Sequence, residues 1–116
     1  MTNLTNLYLY RNQISDISSL SNLSNLTYLN LSDNYINEVS NLSSLRNLKI
    51  LIMVFNQIKK TDFLSTLTNL SLLDLSRNRI TDINSLSTLI KLEVLNLRNN
   101  LVTRICPLQP ESICRF

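Results

Sequence analysis

The sequence contains no glycine and no histidine among its 116 residues. The lack of glycine excludes the phosphate-cradling loops in which the backbone approaches a ligand closely because no Cβ atom intervenes. The lack of histidine removes the commonest general base and the commonest metal ligand. Neither a nucleophile beside a base nor a pair of carboxylates in a plausible pocket is found. We therefore predict no catalytic residue, no metal site, no cofactor and no enzymatic activity within these residues.

Clustered charge and long hydrophobic runs are also scarce. The 11 basic and 8 acidic side chains give a net charge of +3, and apart from the pair Lys59-Lys60 no basic stripe could follow a phosphate backbone. No apolar run approaches the length of a membrane span, and the first residues lack the regions of a signal peptide. These features predict no nucleic-acid or membrane partner. They favour a cytoplasmic or nuclear location, or an extracellular one if the chain is a fragment of a longer secreted protein.

What the sequence does contain is a strict 22-residue period. Each copy has three apolar residues spaced as L-x-x-L-x-L, then an asparagine, and then four mostly apolar slots at intervals of three. The spacing at the end of L-x-x-L-x-L is typical of a strand with one buried face, and the later slots suit helical or 3₁₀ turns. No copy can bury its leucines alone, so neighbouring copies must cover one another. The copies begin at Leu4, Leu26, Leu48, Leu70 and Leu92.

The asparagine of each copy is predicted to be structural. A buried amide must satisfy both its donor and its acceptor groups, and an asparagine at the end of each strand can bond the backbone of its own turn and of the next copy. We prefer this asparagine ladder to any binding role for these residues, which are Asn12, Asn34, Asn56, Asn78 and Asn100.

The period, written L-x-x-L-x-L-x-x-N-x-I-x-x-I-x-x-L-x-x-L, resembles the leucine-rich repeat superfamily over essentially the whole chain. Its length is similar to the class shared by bacterial internalins and the regulatory subunit of type 1 protein phosphatase. The resemblance implies an α/β solenoid: an arc with one short parallel strand per repeat on the concave face and helical, 3₁₀ or irregular turns on the convex side. It also implies that protein partners dock on the concave face. We expect residues 1–116 to form one such array, which is part of a longer one or associates end to end.

The outward strand positions supply the candidates for partner binding. The third copy is unusual because the run from Ile50 to Phe55 is apolar on both faces, and a contiguous exposed apolar patch usually marks an interaction surface. Aromatic anchors with charged neighbours fit a hot-spot core with a polar rim. Alternatively, this run is covered by sequence outside the chain or is a drifted, merely sticky copy. The candidates are Tyr8, Tyr10, Arg11, Tyr28, Asp33, Ile50, Ile52, Val54, Phe55, Leu72, Asp74, Arg77 and Arg98.

Two slots break the period. Thr61 replaces an inward isoleucine, and Phe63 either fills the lost volume or lies on the convex side. Glu111 replaces a convex leucine, which is consistent with a polar terminal copy. Cys114 falls on the first leucine slot of a sixth copy. Cys106 and Cys114 could form a disulfide, although two free thiols are the preferred interpretation, and their spacing does not make a zinc site.

These features favour a scaffold or regulatory subunit that binds another protein. The alternative is a fragment of a secreted or surface adhesion protein resembling internalins. An enzyme would need a catalytic domain outside these residues. An export signal or a wall anchor in the full gene would favour the adhesion protein.

Overall fold

The computed structural model describes residues 3–116, and Met1 and Thr2 lie outside the described residues. Six short parallel strands form one open sheet in sequence order. Each of the first five strands begins two residues after the first leucine of its copy, as the L-x-x-L-x-L spacing predicts. The strands are β1 (Asn6–Tyr8), β2 (Tyr28–Asn30), β3 (Ile50–Ile52), β4 (Leu72–Asp74), β5 (Val94–Asn96) and β6 (Cys114–Arg115).

Short 3₁₀ helices form the opposite wall of the arc, and the described residues contain no α-helix. Four of them begin at the same position of successive copies, and each buries the leucine at its centre, for example Leu42 in the second copy. The structure thus confirms one parallel strand per copy, and of the helical, 3₁₀ or irregular turns that were predicted it has 3₁₀ turns. The helices are η1 (Ser18–Asn22), η2 (Ser40–Ser44), η3 (Asp62–Thr66), η4 (Asn84–Thr88) and η5 (Glu111–Ile113).

Carboxylates precede three of these turns, and one of them is Asp82, whose side chain accepts the backbone N–H of Asn84 at 2.9 Å. An oxygen of Asp16 accepts a hydrogen bond from the backbone N–H of Ser18 at 2.9 Å, and Glu38 does the same for Ser40 at 2.9 Å. These bonds favour the charged form, so the hydrogen bond from the Ser18 backbone lowers the pKa of Asp16 and that from the Ser40 backbone lowers the pKa of Glu38. Each carboxylate therefore fixes the start of its 3₁₀ helix while remaining at the surface.

The core lies between the sheet and the 3₁₀ helices. Leucines at the first three slots of the inner copies are fully buried, as are Leu45 and Leu67 on the convex side. A fully buried leucine contributes about 1.5–3 kcal/mol relative to an exposed one. The strand leucines of the first copy, Leu4, Leu7 and Leu9, are only partly buried, because they pack against one neighbouring copy rather than two.

The asparagine ladder is present, but it points the other way along the chain. The side-chain amide of Asn78 donates to the carbonyl oxygens of Leu75 in its own copy at 3.0 Å and of Met53 in the preceding copy at 2.9 Å. Its carbonyl oxygen accepts the backbone N–H of Ile58, also in the preceding copy, at 3.0 Å. The prediction that each asparagine bonds the next copy was therefore wrong in direction. Asn12 bonds only its own turn and is exposed.

Three further predictions, all about the last turn of the chain, are wrong. Neighbouring strands pair at 22-residue intervals until β6, where Cys114 lies opposite Leu95, an interval of 19. Cys114 thus occupies the second inward slot, not the first. Cys106 and Cys114 form a disulfide, with Cα atoms 5.8 Å apart, so the preferred interpretation of free thiols was wrong. Ile105 shares the slot of Thr61 in the period and was therefore expected to point inward, but it is 74% exposed. Glu111 is exposed, as a polar final turn requires.

Thr61, which breaks the period in the third copy, is accommodated in the core by hydrogen bonds. The hydroxyl of Thr61 is buried and lies 3.0 Å from the hydroxyl of Ser85 and 3.2 Å from the carbonyl oxygen of Asp82. Its polar group is therefore satisfied by the following copy. Phe63 does not replace the missing isoleucine, since it lies in η3 with 38% of its surface exposed.

Candidate protein-binding face

The outward face of the sheet carries an uninterrupted line of apolar side chains, here called the apolar row. Because alternate residues of a strand point to opposite faces, burying Leu29 or Leu51 turns the residues on either side outward. The strand register then makes the first outward residues direct neighbours on β2 to β5. All four are half-buried. The apolar row consists of Tyr28, Ile50, Leu72 and Val94.

A second line of outward residues crosses the same strands two positions later. It is apolar at its centre, where Ile52 lies between Asn30 and Asp74, and Val54 follows Ile52 just beyond β3. Ile52 and Val54 are both half-buried. The third copy therefore widens the apolar row into a patch, and on either side of Ile52 the second line becomes polar.

Tyrosines cover the β1 end of this face. The rings of Tyr8 and Tyr28 lie with their centroids 4.8 Å apart and their planes tilted by 36°, within the range of a favourable aromatic pair. Tyr8 is 56% exposed and Tyr10 is 51% exposed. Since Tyr28 also belongs to the apolar row, the aromatic pair and the apolar patch form one continuous surface.

One residue of each copy, three positions after its strand, adopts the left-handed backbone conformation. This region suits asparagine and aspartate but is costly for a bulky side chain. Phe55 has φ 59° and remains more than half exposed, so its apolar surface is not compensated by burial. The five residues are Arg11, Asp33, Phe55, Arg77 and Asn99.

Charges border the patch on the side of β4 to β6. Asp74 is the acidic residue of these strands, and one of its carboxylate oxygens accepts the hydroxyl and the N–H of Ser76 at 2.8 and 3.0 Å. The other accepts the amide of Asn96 at 3.3 Å. Arg77 and Arg98 are exposed just beyond β4 and β5, and Arg115 is exposed in β6.

The structure places the predicted candidates at outward strand positions or within three residues after the strands, and it buries none of them in the core. The half-buried ones form the centre, namely Tyr28, Ile50, Ile52, Val54, Leu72 and Asp74. The exposed ones surround it, namely Tyr8, Tyr10, Arg11, Asp33, Phe55, Arg77 and Arg98.

Val94 and Arg115 lie on this face but were left out of the candidate set. Val94 completes the apolar row, and its equivalence to Leu72 in the period was the available signal. Arg115 lies opposite Asn96 and so joins the second outward line. The period gave no signal for Arg115, because only the shortened last turn brings it there.

The surface also has depressions. One is bordered by Arg11, Asp33 and Tyr35, and the other by Glu38, Lys60 and Phe63. Residues 3–116 contain no group of three or more metal-ligating side chains. Over the same described range, no helix has the length and apolar character needed to cross a membrane.

Comparisons with known proteins agree with this architecture. Residues 2–46, 46–87 and 68–110 match the family described as leucine-rich repeats in two copies. The internalin InlF from Listeria monocytogenes is 34% identical, with a TM-score of 0.88 over 91% of this chain and 31% of its own. Internalin C2 from the same organism is 34% identical, with a TM-score of 0.92 over 97% of this chain and 50% of its own. No curated protein matches the chain.

A plant peptide hormone receptor, RGFR1, solved in complex with RGF2, is 25% identical, with a TM-score of 0.76 over 86% of this chain and 17% of its own. The chain thus spans about a third of one internalin and half of the other. Proteins of this kind are generally protein-interaction modules and are typically non-enzymatic. Its repeat pattern, parallel sheet and 3₁₀ turns agree with these relatives, and the chain belongs to the leucine-rich repeat family.

Proposed function

We propose that this chain is a protein-interaction module, serving as a scaffold or regulatory subunit, that binds a protein partner on the outward face of its sheet. The observation that carries the proposal is the apolar row, which crosses four adjacent strands without a polar interruption. The residues that a strand turns to solvent are normally polar. Four apolar neighbours in register on that face therefore need a reason beyond the packing of the core.

The surroundings of the apolar row support the same proposal. Its centre is half-buried and apolar, whereas its border carries exposed tyrosines and arginines. Protein interfaces combine an apolar centre with a polar rim and are enriched in tyrosine and arginine. Phe55 adds an exposed aromatic ring in a costly backbone conformation, and such strain is concentrated at functional sites.

The experiment replaces the centre of the patch while leaving the core untouched. In the double variant Ile52→Ser and Val54→Thr, the inward residues Leu51 and Met53 stay in place, so the fold is expected to survive. Capture of proteins from a lysate of the source organism by the immobilised chain is then quantified by mass spectrometry. We expect the main captured protein to fall by about tenfold or more, as for loss of a hot spot.

The matched control replaces exposed apolar residues that lie outside the outward face of the sheet. Phe63→Thr and Ile90→Ser change two exposed apolar residues outside the strands, and this variant is expected to capture the partner like the unchanged chain. Thermal unfolding of each variant tests whether the fold is retained. If the Ile52 and Val54 variant folds and captures its partner undiminished, the outward face is not the binding site.

A second candidate function is that of a fragment of a secreted or surface adhesion protein. The Cys106–Cys114 disulfide favours it, because disulfides persist in oxidising compartments and are rare in the cytosol. The likeness to two internalins points the same way. The thiol state of the two cysteines in protein taken from its native source separates the candidates, since the adhesion protein requires the oxidised pair.

A further inference from the structure

We propose that the partner segment is acidic as well as apolar, and that its carboxylates meet an arginine cluster formed by Arg77, Arg98 and Arg115. This inference rests on the proposed function, since it specifies which kind of protein segment the outward face receives. The arginines would recognise the charge of the partner segment, whereas the apolar row recognises its apolar side chains. The cluster includes Arg115, which the repeat period does not place on this face.

The three arginines come from consecutive copies of the array. The backbone N–H of Arg77 donates to the carbonyl oxygen of Arg98 at 2.8 Å, and that of Leu97 donates to the carbonyl oxygen of Arg115 at 2.7 Å. Arg115 lies directly opposite Asn96, which is an outward residue. The arginines are therefore neighbours along the β4 to β6 end of the face, and all three are exposed.

The charge of this cluster is not matched by nearby acidic groups of the strands. Asp74 is the acidic residue in strands β3 to β6, and both of its carboxylate oxygens already accept hydrogen bonds from Ser76 and Asn96. At the other end of the face, Arg11 and Asp33 carry opposite charges. The face is thus electrically balanced near β1 and β2 and positive near β4 to β6.

Arginine pairs with carboxylates through a planar fork of donors, which gives both strength and direction. Leu72 and Val94 of the apolar row lie on the same strands as this positive end. A protein segment with apolar side chains followed by aspartate or glutamate would satisfy both surfaces at once. Complementary charge of this kind mainly sets specificity and the rate of association.

A nucleic acid would fit this arrangement less well. Single strands need aromatic stacking surfaces beside the cationic track that follows their phosphates. Here the paired tyrosines Tyr8 and Tyr28 lie on β1 and β2, whereas the arginine cluster lies on β4 to β6, with Ile50 and Ile52 between them. The two surfaces therefore suit an apolar segment with an acidic end.

The experiment selects ligands from a library of displayed random peptides, using the full chain as bait. We expect the selected peptides to contain apolar residues and an excess of aspartate and glutamate over the starting library. Synthetic copies of selected peptides should bind more weakly at high salt. The double variant Arg98→Gln and Arg115→Gln should weaken their binding on the order of tenfold.

The control is Arg46→Gln with Arg104→Gln, which removes two exposed charges outside the strands and should leave the affinity unchanged. If the selected peptides depend on Ile52 and Val54 but show no acidic excess and no loss with Arg98→Gln and Arg115→Gln, the inference is overturned and the proposed function stands. If no selected peptide depends on Ile52 and Val54, the proposed function fails as well. Competition by single-stranded oligonucleotides at equal affinity would also overturn the inference, because it would indicate a phosphate ligand.

Discussion

At the scale of single residues, the most unusual feature is the left-handed conformation repeated once in every copy. Aspartate and asparagine occupy it in the second and fifth copies, as Asp33 and Asn99, at little cost. The third copy has Phe55 there, with φ 59°. A side chain that, unlike aspartate or asparagine, cannot form a local hydrogen bond pays about 1–2 kcal/mol in this region, and Phe55 recovers little of it through burial because its ring is largely exposed.

We therefore predict that Phe55→Asn raises the free energy of unfolding by about 0.5–1 kcal/mol. Chemical denaturation followed by circular dichroism measures it. Phe63→Asn is the matched control, since Phe63 is also an exposed phenylalanine but is not among the residues with positive φ, and it should not stabilise the protein. A loss of stability in Phe55→Asn would show that the ring packs more productively than its exposure indicates. If Phe55 contacts the partner, the same variant should also bind less well.

At the scale of elements, the strands and the first four 3₁₀ helices follow from the sequence because each copy repeats the same local choices. Apolar alternation identifies the strand, and leucines three apart identify the turn. The last turn could not be predicted in the same way. There the period no longer applies, since β6 arrives after 19 residues, and a two-residue strand has no recognisable pattern of its own.

The disulfide connects this irregular turn to β6. It closes a loop of eight residues, for which the entropy model gives about 2–3 kcal/mol of stabilisation. We predict that reduction, or the double variant Cys106→Ser and Cys114→Ser, lowers the free energy of unfolding by about that amount. Denaturation with and without reductant measures the loss. Reductant should have no effect on the double variant, and equal stability of the oxidised and reduced protein would contradict a structural role for the bond.

The candidate face shows the same division between what the period predicts and what it does not. The outward residues on β1 to β5 could be predicted because a buried leucine fixes the direction of its neighbours. The direction of the asparagine ladder could not, since a side-chain amide can reach either adjacent copy with equal chemistry. The burial of Thr61 could not be predicted either. Its hydroxyl is satisfied by Ser85 of the next copy, and this contact depends on the three-dimensional register of the two copies.

At the scale of the whole molecule, the copies are stacked in sequence order, with each strand paired to the strands of adjacent copies. Each copy contacts mainly the copies before and after it, so stability should depend on position along the array. Leu7 and Leu73 occupy the same slot of the period, but Leu73 is fully buried whereas Leu7 is only partly buried. The same substitution at Leu7 and at Leu73 therefore tests the effect of position along the array, because the side chain removed is identical.

We predict that Leu73→Ala costs about 3 kcal/mol or more, because it leaves a cavity between two copies. Leu7→Ala should cost about 1 kcal/mol, because water already reaches part of the site. Thermal or chemical unfolding measures both changes. Equal losses in the two variants would mean that the first copy is packed as tightly as the fourth.

The direction of the asparagine ladder bears on how the protein is made. The backbone N–H of Ile14 is bound by Asn34, and that of Ile58 by Asn78, in each case 20 residues later in the chain. A copy emerging from the ribosome therefore lacks the protein acceptor of this amide until the next asparagine has been translated. Synthesis from the N-terminus completes the copies one after another, and each completed copy offers the following one a finished surface on which to fold.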